Sequence, residues 1–123
     1  MKPFTLDIPR QELLSANQRL HWQSKARRVS TLRTRSRLLS RGRKPFPTPL
    51  MIDVYVWKPR GGRYDPANLY PSAKPVIDGF VDAGLLPDDD FKNVDGPHLH
   101  HGGVDKEIPA GFTRFIFKFK QVK

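Results

Sequence analysis

Between residues 65 and 90 the chain places Asp65, Lys74, Asp78, Asp88, Asp89 and Asp90, a set of carboxylates and one ammonium suited to phosphate-ester chemistry. Carboxylates set side by side repel, and each costs stability unless a cation or proton intervenes. The hard ions Mg²⁺ and Mn²⁺ are a common reason to gather them, with one or two carboxylates, waters and substrate phosphate oxygens completing the shell. If the intervening segment turns the chain back, Asp65 meets Asp89, with Asp88 and Asp90 beside it as further ligands. Such a metal would lower the pKa of a bound water and clamp phosphate oxygens, while Lys74 offsets the charge that develops during displacement. A purely structural reading stands beside this one. "PDDD" after a helix is an ordinary solvated turn, and Lys74 with Asp78 is an i, i+4 ion pair worth a few tenths of a kcal/mol.

The rest of the chain supplies the opposite charge. The formal net charge is +10, from 22 Lys and Arg against 12 Asp and Glu. Residues 1–63 hold fifteen Lys and Arg and three acids (Asp7, Glu12, Asp53), whereas residues 64–123 hold seven and nine. A basic field of this size favours a polyanion, nucleic acid first and an acidic membrane surface second. Charge selects a partner class and not an activity. The absence of cysteine excludes disulfides and thiolate metal sites. The 123 residues fit one domain, 1–123, with a modest core. The start "MKPFTLDIPRQELLS" lacks the apolar run of a signal peptide, and no stretch approaches a membrane span, so a soluble cytoplasmic protein is expected.

These charges need elements to carry them. "KPFTLDIP" (2–9) alternates as a strand with Phe4, Leu6 and Ile8 on one face, and "RQELLSANQRLHW" follows as a loop. Residues 23–41 contain neither Pro nor Gly, and Gly42 suits a helix C-terminus. On that helix Val29, Leu32, Ser36 and Leu39 form a narrow apolar stripe. Arg27, Arg33, Arg37 and Arg41 form a cationic face, which Arg43 and Lys44 extend as a surface for phosphates. "LMIDVYVW" (50–57) is a strand. A second helix is expected from Ser72, its cap, to Ala83, with Pro75 in its first turn and Gly84 at its end. It buries Val76, Ile77, Phe80 and Val81 and carries Lys74, Asp78 and Asp82 on another side. "NVDGPHLHH" reads as a strand weakened by Gly96 and Pro97, and "GGVDKEIPAG" as a turn-rich excursion. "FTRFIFKFK" (112–120) is a strand with Phe115, Phe117 and Phe119 toward the core. Interleaved strands and helices predict a small mixed sheet with two main helices, of the α/β or α+β class.

The order of residues in the acidic segment resembles the RusA family of Holliday junction resolvases, small basic phage-associated endonucleases. The family pattern runs D-x-D-N, a lysine, an aspartate on a helix, and a D-D pair after an "AGL" turn. The matching pieces here are "DPAN" (Asp65 to Asn68), Lys74, "DGF" (Asp78 to Phe80), "DAGLL" (Asp82 to Leu86) and "DDD" (Asp88 to Asp90). "NQRLHWQSKARR" (17–28) is also similar to the family's asparagine-containing loop before a basic helix. The strong resemblance covers residues 63–91. It implies a homodimer that binds four-way DNA junctions and cuts their backbone with Mg²⁺ or Mn²⁺ in a bacterial cytoplasm, encoded by a phage or prophage. It gives Asp65, Lys74 and Asp89 catalytic roles, with Asn68 and Asp78 in support. Two departures stand out. Ala67 occupies the place of the second acid, and three additional residues, Pro71 among them, separate Asn68 from Lys74. Asp78, Asp88 or Asp90 then replaces the missing ligand, or the protein is a non-catalytic basic nucleic-acid-binding module. A nuclease for flaps or RNA would share the same site.

Two further clusters carry alternatives. His98 and His100 share a strand face and could supply half a zinc site. No third partner is evident except His21 or an acid, so solvated or DNA-facing histidines are the expectation. Asn17, His21 and Trp22 precede the basic helix, either as its cap and packing or as contacts to a phosphate or a base.

Overall fold

The computed structural model describes residues 1–122. Its elements are β1 (Phe4–Pro9), α1 (Trp22–Leu39), β2 (Leu50–Lys58), a 3₁₀ turn (Pro66–Leu69), α2 (Tyr70–Asp82), β3 (Val94–Val104) and β4 (Phe112–Gln121). The fold is α+β, a four-stranded mixed sheet in the order β1–β4–β2–β3 with two helices. β4 pairs antiparallel with both β1 and β2, whereas β2 and β3 run parallel. Parallel neighbours need a long crossover, and the 3₁₀ turn and α2 provide it. The acidic segment is therefore the crossover itself. Among the described residues no helix is long and apolar enough to cross a membrane.

Alternation places the core. Phe4, Leu6 and Ile8 of β1, Ile52, Val54 and Val56 of β2, and Phe115 and Phe117 of β4 are buried on one face, with Phe119 partly buried beside them. Leu32 of α1 and Val76, Ile77 and Phe80 of α2 pack against the same cluster. Phe80 meets Phe4, Phe46, Phe117 and Phe119 edge-on with ring centroids 4.9–5.9 Å apart. The opposite face carries Met51, Asp53, Tyr55 and Trp57 next to Arg114 and Ile116, all half-buried.

Several boundaries differ from the sequence expectation. α2 starts at Tyr70, preceded by the 3₁₀ turn, and Pro75 lies inside it. Ser72 is not its cap. The Ser72 hydroxyl is buried, accepts from Leu14 N and donates to Leu14 O, both at 2.7 Å, and so pins the β1–α1 loop to α2. Leu39 falls off the apolar stripe of α1 and is exposed, while Ser36 is fully buried. β3 continues through Gly102 and Gly103 to Val104, where a turn was expected. It is an edge strand, so Pro97 costs no ladder bond on its open side. The two glycines lie under the Trp57 indole, where a Cβ at Gly102 would collide with the ring.

The contact between α1 and α2 sets where the acidic helix sits. A Cβ at Gly79 would come 2.5 Å from Ser36 Cβ and 2.7 Å from the Arg33 carbonyl oxygen, so only glycine allows this approach. Ser36 Oγ donates to Val76 O at 2.6 Å across the same contact.

Candidate functional site

Lys74 is one helical turn into α2, and Asp78 follows it by four residues on the same side. Lys74 Nζ donates to Asp78 Oδ1 at 2.6 Å and also to Asp89 Oδ2, which comes from the turn before β3. A cavity of about 30 Å³ beside them is bounded by Tyr70, Ile77, Val94 and Pro97 and has room for an ordered water. Asp89 N donates to Asp88 Oδ1 at 2.7 Å, which folds the acidic turn back on itself. Asp90 Oδ1 accepts from Asn93 Nδ2 at 2.7 Å and from Asn93 N at 3.2 Å.

The electrostatics follow from this geometry. The hydrogen bond from Lys74 holds the Asp89 carboxyl below the usual 3.8 against the opposing effect of burial, with the Lys74 charge adding to it. For Lys74 itself burial pulls the ammonium down. The hydrogen bonds and charges of Asp78 and Asp89 together overrule burial and leave it above 10.5. Asp82, at the end of α2, is taken by Arg33 through two bonds of 2.6 and 2.8 Å, and the hydrogen bond first and the charge second keep its carboxyl low.

The other residues named from the sequence lie elsewhere. Asp65 caps the 3₁₀ turn, its Oδ1 accepting from Ala67 N at 3.0 Å, and its carboxylate is not among the groups around Lys74. Asn68 contributes its carbonyl to Ala16 N at 2.8 Å and so anchors the N-terminal loop. Of the cationic residues, Arg27, Arg37, Arg41 and Lys44 are exposed. Arg33 is spent on Asp82. Arg43 donates to the carbonyls of Lys2 and Pro3 at 3.0 and 2.8 Å and lies 5.2 Å from the centre of the Phe4 ring. Two arginines of α1 not singled out in the sequence hold the preceding loop. Arg28 donates to Leu13 O at 2.7 Å, and Arg35 donates to Glu12 Oε1 and Asp7 O at 3.0 Å each.

His21 Nδ1 accepts from Gln23 N at 3.3 Å and caps α1, and its ring stacks with Trp22, which is 70% exposed. His98 Nε2 lies 2.8 Å from Asp95 Oδ1, and His100 Nε2 lies 2.7 Å from Asp53 Oδ1 with its ring stacked on Tyr55. Phe91, 87% exposed, projects beside the aspartates 88–90, a position the sequence reading passed over.

Asp78 and Asp89 place two carboxylate oxygens around one cation, the Lys74 ammonium. Oxygen donors in that number suit Mg²⁺ or Mn²⁺ completed by water and phosphate, so these two residues fit such an ion in exchange for the ammonium. Asp88 touches Asp89 through the Asp89 N–H, whereas Asp65 and Asp90 accept from Ala67 and Asn93. Among the described residues no three of His, Cys, Asp and Glu are grouped so as to hold a metal ion. No protein-family model matches the chain, and no curated protein matches it.

Proposed function

We propose that the protein is a metal-dependent endodeoxyribonuclease of the RusA type, acting as a homodimer on four-way DNA junctions. The observation that carries this reading is the meeting of Lys74, Asp78 and Asp89 around one point on an otherwise basic chain. In this reading Asp78 and Asp89 hold the ion, and Asp65 positions the entrance turn without touching it. A bound Mg²⁺ or Mn²⁺ supplies Lewis acidity and an activated water. Lys74, released from both carboxylates where the ion replaces its ammonium, would offset charge on the scissile phosphate. Arg27, Arg37, Arg41 and Lys44 hold the flanking backbone.

A second reading, a non-catalytic nucleic-acid-binding protein, is favoured by one specific observation: Ala67 stands where the family pattern has an acid, and no three-donor group forms among the described residues. Incubation of purified protein with a synthetic four-way junction and Mg²⁺ or Mn²⁺ separates the two. Paired nicks are expected, reduced at least a hundredfold in Asp89→Asn and in Asp78→Asn but only mildly in Asp65→Asn. Salt-sensitive binding without metal-dependent nicks on any branched substrate would establish the second reading instead.

A further inference from the structure

The strongest concentration of unpaired positive charge near a concave surface is not on α1. It lies at the end of the sheet where β2 leaves and β4 enters. A cleft of about 470 Å³ there is bounded by Arg10, Lys58, Arg60, Arg63, Tyr64 and the Gly61–Gly62 turn. The volume falls within the range of small-ligand sites. None of these four cations takes part in an ion pair among the described residues. Asp105, which donates its backbone N–H to Lys58 O at 2.9 Å, turns its carboxylate away, accepting from Glu107 N and facing Arg114.

Lys58 is the unusual member. In β2 the core-facing row runs Leu50, Ile52, Val54, Val56, and Lys58 occupies the next place in that alternation. Its ammonium lies 4.4 Å from the centre of the Tyr64 ring and makes no ion pair among the described residues. Burial pushes its pKa down. A lysine kept half-buried, over an aromatic face and without a carboxylate, is costly to the fold unless an anion completes it. The wall is also built and not incidental. Arg28 of α1 donates to the carbonyls of Leu13 and Arg10, at 2.7 and 3.5 Å, and so fixes the segment that presents Arg10. Among the described residues no backbone hydrogen bond ties down Arg60 to Arg63, so their N–H groups are free to donate to a ligand.

We infer that this cleft is a phosphate-binding site, with half-buried Lys58, Arg10 and the Arg60–Arg63 turn lining it around the anion, and that it seats a backbone phosphate of the nucleic acid. The site leads directly into the acidic crossover, since Tyr64 separates Arg63 from Asp65 in the chain. It extends the nuclease reading by giving the strand a second fixed point, but the binding of phosphate stands apart from any cleavage.

The test uses the whole chain, with inorganic phosphate as the first probe. Titration is followed by NMR at the Lys58 side chain and the amides of residues 60–63, with sodium chloride at matched ionic strength as the control. A saturable change confined to this cleft, with the Lys58 pKa rising as phosphate binds, is expected. It should disappear in Lys58→Gln and weaken in Arg10→Gln, each checked for an unchanged melting temperature. With duplex or junction DNA, Lys58→Gln should lower affinity about tenfold and reduce the salt slope by about one ion. Shifts that also follow chloride, or that spread evenly over the arginines of α1, would overturn the assignment. So would a Lys58→Gln protein that still binds phosphate, or tighter binding to polyglutamate than to DNA. Failure of the phosphate titration removes this site alone, whereas absence of nicks removes the nuclease reading alone.

Discussion

Lys74 places an internal counter-ion between two carboxylates, and its behaviour with pH follows from the cited shifts. Asp89 has a folded-state pKa below 3.8, so its contribution to stability is present above that value and is lost as pH falls through the lowered one. Lys74 has a raised value, so its contribution is full below 10.5 and is lost as pH climbs through the raised one. The pair therefore stabilises the fold across the whole neutral range. Both side chains are partly exposed, 39% and 26%, so the contribution is below about 1 kcal/mol after solvent screening. Lys74→Ala removes the largest cause that holds Asp89 down while leaving its burial, and Asp89 should then titrate at a higher pH than in the native protein by carboxyl-carbon NMR. In the same variant Mn²⁺ should bind several-fold tighter by calorimetry, because the ammonium no longer competes for Asp78 and Asp89, while cleavage falls. Unchanged Mn²⁺ affinity would remove the ion from this pair. Part of this centre was legible in the sequence. The Lys74–Asp78 pair follows from i, i+4 spacing and the Asp89 partner from the order of the motif, whereas the use of Asp65 as the cap of a 3₁₀ turn ahead of α2 is local geometry that a spacing count does not reveal.

Elements, unlike side-chain partners, were written mostly in local pattern. Alternation located β1, β2 and β4, and the run without Pro or Gly located α1, because burial on one face imposes a period that each segment shows by itself. The failures arose where a distant residue decides. Ser72 looks like a cap until Leu14, 58 residues away, claims its hydroxyl on both sides. Gly102 and Gly103 look like a turn until Trp57 is laid over them. Gly79, within the "DGF" piece, also sets the crossing of α1 and α2 against Ser36 and the Arg33 carbonyl, which the sequence does not show. Gly79→Ala should destabilise the protein by about 1–3 kcal/mol in urea denaturation, the cost of overpacking a filled contact. Ser36→Gly should not rescue it, because the Arg33 carbonyl at 2.7 Å is backbone and remains. Full recovery in the double variant would place the obstruction in the Ser36 side chain alone.

Across the whole molecule the positive charge is sorted by what each cation already holds. Arg28, Arg35, Arg33 and Arg43 are fastened to loop carbonyls or to carboxylates, and each joins two parts of the fold. Arg27 and Arg37 project from α1 and Arg41 from the turn after it, without such partners among the described residues, and Lys58 and Arg10 line the cleft at the end of the sheet. Counting basic residues in the sequence could not make this division, because it depends on which acids and carbonyls the fold brings within reach. The division has a thermodynamic signature. Each phosphate neutralised on duplex DNA contributes about 0.9 to the slope of log affinity against log salt. The triple variant Arg27→Gln, Arg37→Gln, Arg41→Gln should therefore reduce the slope by about 2 to 3 with the melting temperature kept. Arg33→Gln with Arg35→Gln should do the reverse, lowering the melting temperature by several degrees and leaving the slope within experimental scatter. Equal loss of slope in both sets would mean that the nucleic acid gathers charge from all of α1, pulling its arginines off their partners, and the sorting by fold would not govern binding.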